Sequence, residues 1–155
     1  MTAPGSGLHL RNATDTDAYA LWLWANDTET RAGSHGRGEI TWPSHVQWLT
    51  LHLANPHSMI LMAESDGRPV ASVRFHTDDA WTTARLAYVV APEARGRGLS
   101  RSLVSAGCAR LRERYAAVAI LAEVMKDNVR SASVFSGEGW RNEPLTPDLH
   151  RFWNR

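Results

Sequence analysis

The sequence predicts a single α/β domain with helices packed on one sheet, in the order β-α-α-β-β-β-α-β-α-β. Three observations carry that prediction. The chain has 155 residues, enough for one domain with a core of its own. Its apolar residues switch between short strand-like runs and helical spacing. One stretch, Leu86 to Tyr115, reads as a buried strand, a proline stop, a glycine turn and a long helix in direct succession.

Residues 1–7 are small and read as a flexible lead before a single domain over 8–155. Leu8-His-Leu-Arg11 alternates like a strand. Thr14-Asp-Thr-Asp17 suits a helix cap, and Ala18, Leu21, Trp22 and Ala25 then form one apolar face. Asn26 to Arg31 ends that helix or opens a short second one. Ala32 to Glu39 holds Gly33, Gly36 and Gly38 and reads as an exposed loop able to touch a substrate. Ser44 is expected to cap a helix carrying Val46, Trp48, Leu49 and Leu53, which Asn55-Pro56 ends. Met59–Glu64 and Pro69–Phe75 read as strands joined by a hairpin turn at Asp66-Gly67. After a turn at Asp78-Asp79, Trp81 to Val90 is the expected central strand. A helix over 99–115, a buried strand over Ala117–Met125 and a helix over Asn128–Ser136 follow. Pro144 and Pro147 are expected in a loop, and His150 to Trp153 in a last strand.

Composition excludes several classes. Net charge is +1, so the total gives no reason to expect nucleic acid or a membrane surface as a partner. No apolar run is long enough to cross a bilayer, and Met1–Gly7 lacks the features of a secretory signal, so a cytoplasmic protein is expected. Cys108 is the one cysteine and lies on the apolar face of the long helix, where an inert buried thiol is expected. No metal is expected. The absence of Gly-Lys-Ser/Thr argues against a P-loop nucleotidase.

The glycine turn carries the chemistry. A helix start leaves unpaired N–H groups and partial positive charge, where acidic residues are usual. Here Arg95, Arg97 and Arg101 stand around Gly96, Gly98, Leu99 and Ser100. Cations at that end cost about 0.3–1 kcal/mol each. They make sense if an anion such as a phosphate or diphosphate fills the turn. A solvated Arg/Gly loop is the other reading.

Arg95, Gly98 and Ser100 resemble the Gln/Arg-x-x-Gly-x-Gly/Ala pyrophosphate motif of the GNAT acyltransferase superfamily, with Ser where Gly or Ala is usual. Asn128, Ser131, Phe135, Gly139 and Trp140 resemble that family's later motif, in the right order and separation. The resemblance implies a mixed, mostly antiparallel sheet that splays after the central strand, with a bulge near Val89–Val90. It implies acetyl transfer from acetyl-coenzyme A (acetyl-CoA), acting as acyl donor, to an amine. Val89 and Val90 would offer amides to the pantetheine arm, the 95–100 turn would hold the diphosphate, and Asn128, Ser131 and Phe135 would line the arm's path. Asn128 is equally expected as a plain helix cap.

An amine attacks a thioester only when neutral, so a proton acceptor is needed. The family's usual central-strand glutamate has no counterpart over Thr83–Ala87. Glu123, inside the strand Ile120–Met125, is the leading replacement, with a structural ion pair as its other reading. His45, His35 and His76 are second candidates. The family's tyrosine, proton donor to the leaving thiolate, is replaced by Phe135, which has no proton to give.

Trp24-Ala-Asn-Asp27, Arg31, Glu39-Ile40 and His45-x-x-Trp48 resemble the N-terminal half of nucleotide-aminosugar acetyltransferases, including those of the pseudaminic-acid pathway. That resemblance implies Asn26, Arg31, Trp48 and Arg74 as acceptor-binding residues. Core packing is the other reading of the tryptophans. Three functions compete: acetylation of an aminosugar or similar small amine, acetylation of a protein N-terminus or antibiotic, and an acyl-CoA sensor without turnover. Monomer and homodimer stay open.

Overall fold

A computed structural model describes residues 7–34, 36 and 38–155. The expected lead, apart from Gly7, and His35 lie outside the described residues. The strands are β1 (His9–Asn12), β2 (Ser58–Ser65), β3 (Arg68–Thr77), β4 (Thr83–Val90), β5 (Ala119–Met125), β6 (Arg141–Thr146) and β7 (Leu149–Asn154). The helices are α1 (Ala18–Asn26), α2 (Thr28–Ala32), α3 (Trp42–Ala54), α4 (Leu99–Arg114) and α5 (Val129–Gly137). The strands form one sheet in the order β1-β2-β3-β4-β5-β7-β6. Neighbours are antiparallel except β4 and β5, which run parallel.

Alternation assigns the faces. Val73, Phe75, Ala84 and Leu86 are buried on one face of β3 and β4 and meet α4. Arg74 and Ala87 sit on the other face, toward α1 and α3. Gly107 lets α4 approach closely: a Cβ there would stand 2.8 Å from Val73 Cγ1. Gly107→Ala is therefore expected to cost about 1–3 kcal/mol by overpacking. Urea unfolding would show it as a lowered midpoint with unchanged slope; an unchanged midpoint would mean the interface has slack.

The β2–β3 turn is at Asp66-Gly67 as expected, with both residues at positive φ (53° and 75°). Four expectations need correction. The third helix starts at Trp42 rather than after Ser44, because Thr41 is the cap: its Oγ1 accepts from the Ser44 amide at 3.4 Å, with Pro43 in the first turn. It buries His45 and Leu49, leaving Val46 and Leu53 exposed. The central strand begins at Thr83, not Trp81. Trp81 has φ 59°, and the Asp78 carboxylate collects the Thr82 and Thr83 amides at 2.7 and 3.2 Å, closing a turn first. Finally, Pro144 lies within β6. That strand is exposed along its whole length at the sheet edge, where a missing N–H breaks no inner ladder.

Candidate active site

The sheet opens between β4 and β5. They pair only through Thr83↔Ala119, Ala84↔Ile120 and Arg85↔Leu121. Beyond Leu121, β5 keeps its β7 partner as far as Met125, while β4 keeps β3 as far as Val90. Which backbone groups face the opening follows from the ladder. Ala91 N–H donates to Val70 O on the β3 side, and Thr82 O accepts from Ala119 on the β5 side. Alternation then turns the groups of Leu86, Tyr88 and Val90 into the opening and those of Val89 toward β3. Val90 thus turns its backbone groups into the opening, and both Val89 and Val90 line the cavity there. The expected bulge is not present: the β3–β4 register runs unbroken from Ala71↔Val90 to Thr77↔Ala84. The splay comes from strand divergence.

On one side of the opening lies a cavity of about 760 Å³, lined by Tyr88, Val89, Val90, the 94–101 turn except Arg97, Asn128, and Arg130, Ser131, Ser133 and Val134 on α5. Gly96 and Gly98 have φ 81° and 70°, the left-handed region that suits glycine. Gly98 caps α4 without any side-chain cap bond, so the first α4 amides point outward. Among the described residues, the Gly96, Arg97 and Gly98 amides donate to no backbone carbonyl in a turn, loop or cap. Arg97 and Arg101 are exposed, and the Arg101 guanidinium rests against Gly137. Arg95 departs from expectation. Its guanidinium bonds Asp27 at 2.7 Å, Glu29 at 2.8 Å and Thr30 Oγ1 at 3.1 Å, stapling α2 to the turn. Arg130 also holds Glu29, at 2.8 Å. These two arginines neutralise the carboxylates beside the turn.

On the other side lies a cavity of about 660 Å³, reaching from Leu21, His45 and Trp48 past Ser72 and Arg74 to Ala122–Val124. Arg74 stands over the Trp48 ring, 5.2 Å from its centroid, and has no acidic partner among the described residues. Its side chain keeps an exposed edge, yet the surrounding cavity wall desolvates it and, with the charge of Arg31, pushes its guanidinium below the ordinary value. His45 stacks on Trp48 (5.8 Å, 24°), and its Nε2 lies 2.9 Å from Ala18 O. A carbonyl only accepts, so Nε2 carries the proton and Nδ1 keeps the lone pair. Burial lowers the His45 pKa; the Ala18 bond opposes this and the Arg74 charge adds to it. The ring is neutral at neutral pH.

Three expected site residues are engaged by other parts of the fold. Asn26 does not line this cavity: it exchanges two 2.7 Å bonds with the Ile40 backbone, whose carbonyl also accepts from Trp22 Nε1. Arg31 lines it, but donates to Ala25 O and Gly36 O at 2.6 Å and to Ser34 Oγ at 3.2 Å, holding the glycine loop folded. Glu123 is gripped by Arg151 at 3.0 Å and Arg85 at 3.3 Å, bracing β4, β5 and β7 where the splay begins. A carboxylate held by two guanidiniums is a structural ion pair rather than a free base. His76 bonds Ser58 at 3.2 Å on the exposed rim, away from the cavity lining.

The two cavities share Thr30, Gly33, Ser34, Tyr88, Val89, Asn128 and Ser131. Asn128 caps α5, its Oδ1 accepting from the Ser131 amide at 3.3 Å. It also touches the glycine loop: a Cβ on Gly33 would stand 2.7 Å from Asn128 Nδ2. Phe135 is buried, stacked on Phe152 (5.5 Å) and tilted against Trp140 (4.8 Å), and floors the second cavity. Tyr88, whose sequence context reads as plain core, sets its hydroxyl 2.9 Å from Ser131 Oγ. Cys108 is buried as expected, and burial pushes its thiol up to about 12.

A family profile described as "Acetyltransferase (GNAT) family" matches residues 17–140. The chain belongs to the GNAT acetyltransferase family. No curated protein sequence matches it. Solved structures share its fold at low identity. The spermidine N-acetyltransferase from Vibrio cholerae in complex with CoA and spermine is 15% identical, with TM-score 0.85 over 97% of this chain and 96% of that one. The ribosomal-protein-alanine N-acetyltransferase from Brucella melitensis is 22% identical, with TM-score 0.75 over 94% and 96%. The GNAT domain of S. lividans PAT is 19% identical, with TM-score 0.78 over 95% and 89%. As a GNAT protein, this chain is an N-acetyltransferase that takes its acetyl group from acetyl-CoA. The mixed seven-stranded sheet with its one parallel pair is the fold expected of the family. Among the described residues no cluster suits a metal ion, and no helix is long and apolar enough to cross a membrane.

Proposed function

We propose that this GNAT protein acetylates the primary amine of a small molecule that also carries negative charge, a nucleotide-linked aminosugar being the acceptor class that fits best. One observation supports the proposal: two cavities meet where β4 and β5 lie unpaired, and the acceptor side holds Arg74, a cation with no acidic partner among the described residues, beside an aromatic face, Trp48. Among the described residues one carboxylate lines that cavity, Glu123, and it is already neutralised by two arginines. A polycation would therefore meet uncompensated positive charge there, while a phosphate or carboxylate would gain a charge-assisted bond.

The residues divide the work by side. The outward amides of Gly96 to Ser100 suit the donor's diphosphate, and the Tyr88 and Val90 backbone suits the amides of its arm. The donor supplies the activated thioester carbonyl. Arg74 and Trp48 orient the acceptor. His45, neutral and lining the same cavity, takes the proton that the attacking amine must lose.

Thiol release from acetyl-CoA with a set of amines tests this reading. A nucleoside-diphosphate-linked aminosugar is expected to give the highest kcat/KM, ahead of spermidine and of a peptide with a free N-terminal alanine. Spermidine as the best acceptor would contradict it.

A further inference from the structure

The donor cavity already holds an anion of the protein's own. Among the described residues its lining carries four charged side chains, Arg95, Arg101, Arg130 and Glu29. Three cations suit a diphosphate site; a carboxylate does not. Glu29 engages two of those cations, one with each oxygen. Its Oε2 accepts from Arg95 at 2.8 Å and its Oε1 lies 2.8 Å from Arg130. One anionic group thus bridges the glycine turn and α5, as two oxygens of a phosphate would. We propose that Glu29 is a built-in competitor of the donor: its carboxylate occupies Arg95 and Arg130 until the diphosphate of acetyl-CoA takes its place. The inference rests on placing that diphosphate at the 96–100 turn and adds a residue that sets how tightly it binds.

The geometry makes Glu29, and not its neighbour Asp27, the exchangeable partner. The two carboxylates hold different nitrogens of Arg95. Nη2 donates to Asp27 at 2.7 Å and to Thr30 Oγ1 at 3.1 Å, whereas Nη1 donates to Glu29. Asp27 is fixed further as the α2 cap, accepting from the Thr30 amide at 3.3 Å, and its side chain is only 22% exposed. The Glu29 side chain is 54% exposed and can swing into water on its longer stem. Its backbone need not move, since the Glu29 carbonyl accepts from the Gly33 amide within the turn that ends α2. When Glu29 leaves, Asp27 and Thr30 still hold Arg95 in position, with Nη1 turned to the incoming anion. The exchange is downhill by charge and by number of donors. Exposed ion pairs contribute little, whereas a diphosphate brings more charge and also meets the amides at the start of α4.

The sign of one substitution tests this. A site closed by its own side chain binds a ligand more weakly, in proportion to the fraction of molecules that stand open. Glu29→Gln is expected to lower the CoA dissociation constant about three- to tenfold by calorimetry, the range set by two exposed ion pairs. If Glu29 were a brace for the cavity wall, the same change would weaken binding or leave it alone. Asp27→Asn removes an equal charge from the same arginine but also its anchor, so it should bring no gain. An equal gain in both variants would reduce the effect to net charge and overturn the competition. Dephospho-CoA keeps the diphosphate and lacks the ribose phosphate, so Glu29→Gln should tighten it by the same factor. A gain confined to CoA would overturn the assignment to the diphosphate. If Gly98→Glu leaves CoA affinity unchanged, the placement of the donor falls and this inference with it. If Gly98→Glu loses CoA and Glu29→Gln gains none, only the role of Glu29 is overturned.

Discussion

Gly98→Glu is expected to raise the acetyl-CoA dissociation constant about a hundredfold or more, measured by calorimetry, while leaving the protein folded. Two effects add. Gly98 sits at φ 70° and ψ 21°, a conformation that costs an ordinary L-residue about 1–2 kcal/mol. That cost falls on the fold, and it is tolerable because a Cβ there meets nothing within 4 Å. The carboxylate does the rest. It places negative charge at the α4 amides, and losing one charge-assisted bond is worth about 1.5–3 kcal/mol before any repulsion of the diphosphate. Gly98→Ala carries the same backbone strain without the charge and is expected to bind within about tenfold of the parent on that accounting. Equal losses in the two variants would mean that strain, not anion binding, explains the glycine.

Arg74→Ala is expected to raise KM for the anionic amine by about 10- to 100-fold, with KM for acetyl-CoA unchanged. The magnitude is that of one bond to a charged group. The sign on stability is the opposite of the usual one. Arg74 has no acidic partner among the described residues and lies close to Arg31 in the field it feels, so its removal should not lower the melting temperature. With spermidine as acceptor the effect should reverse, since a repelling charge is gone. An unchanged KM for the anionic amine would remove the reason for placing negative charge on the acceptor.

What was legible in the sequence was what the chain builds from neighbours. The 95–100 turn, the Asn128 cap and the strand–turn–helix around them are contiguous, so residue types alone point to outward amides and a capped helix. Roles that depend on distant partners were not legible. Arg31 and Asn26 look like ligand-binding groups until the glycine loop folds back and Gly36, Gly38 and Ile40 occupy them. Glu123 looks like a lone carboxylate in a strand until the register sets it against Arg85 and Arg151. Arg95 matches the motif by type, yet its side chain turns back to α2. β6 escapes notice because an edge strand exposed on both faces shows no apolar alternation. Tyr88 sits in a run that reads as core, and only α5, packing against β4, gives its hydroxyl a partner in Ser131.

A crystal structure of the protein grown with acetyl-CoA measures the central claim most directly. The diphosphate is expected within hydrogen-bond reach of the Gly96–Ser100 amides, with the thioester between the unpaired stretches of β4 and β5. Density for the donor elsewhere, or a diphosphate held away from those amides, would contradict it.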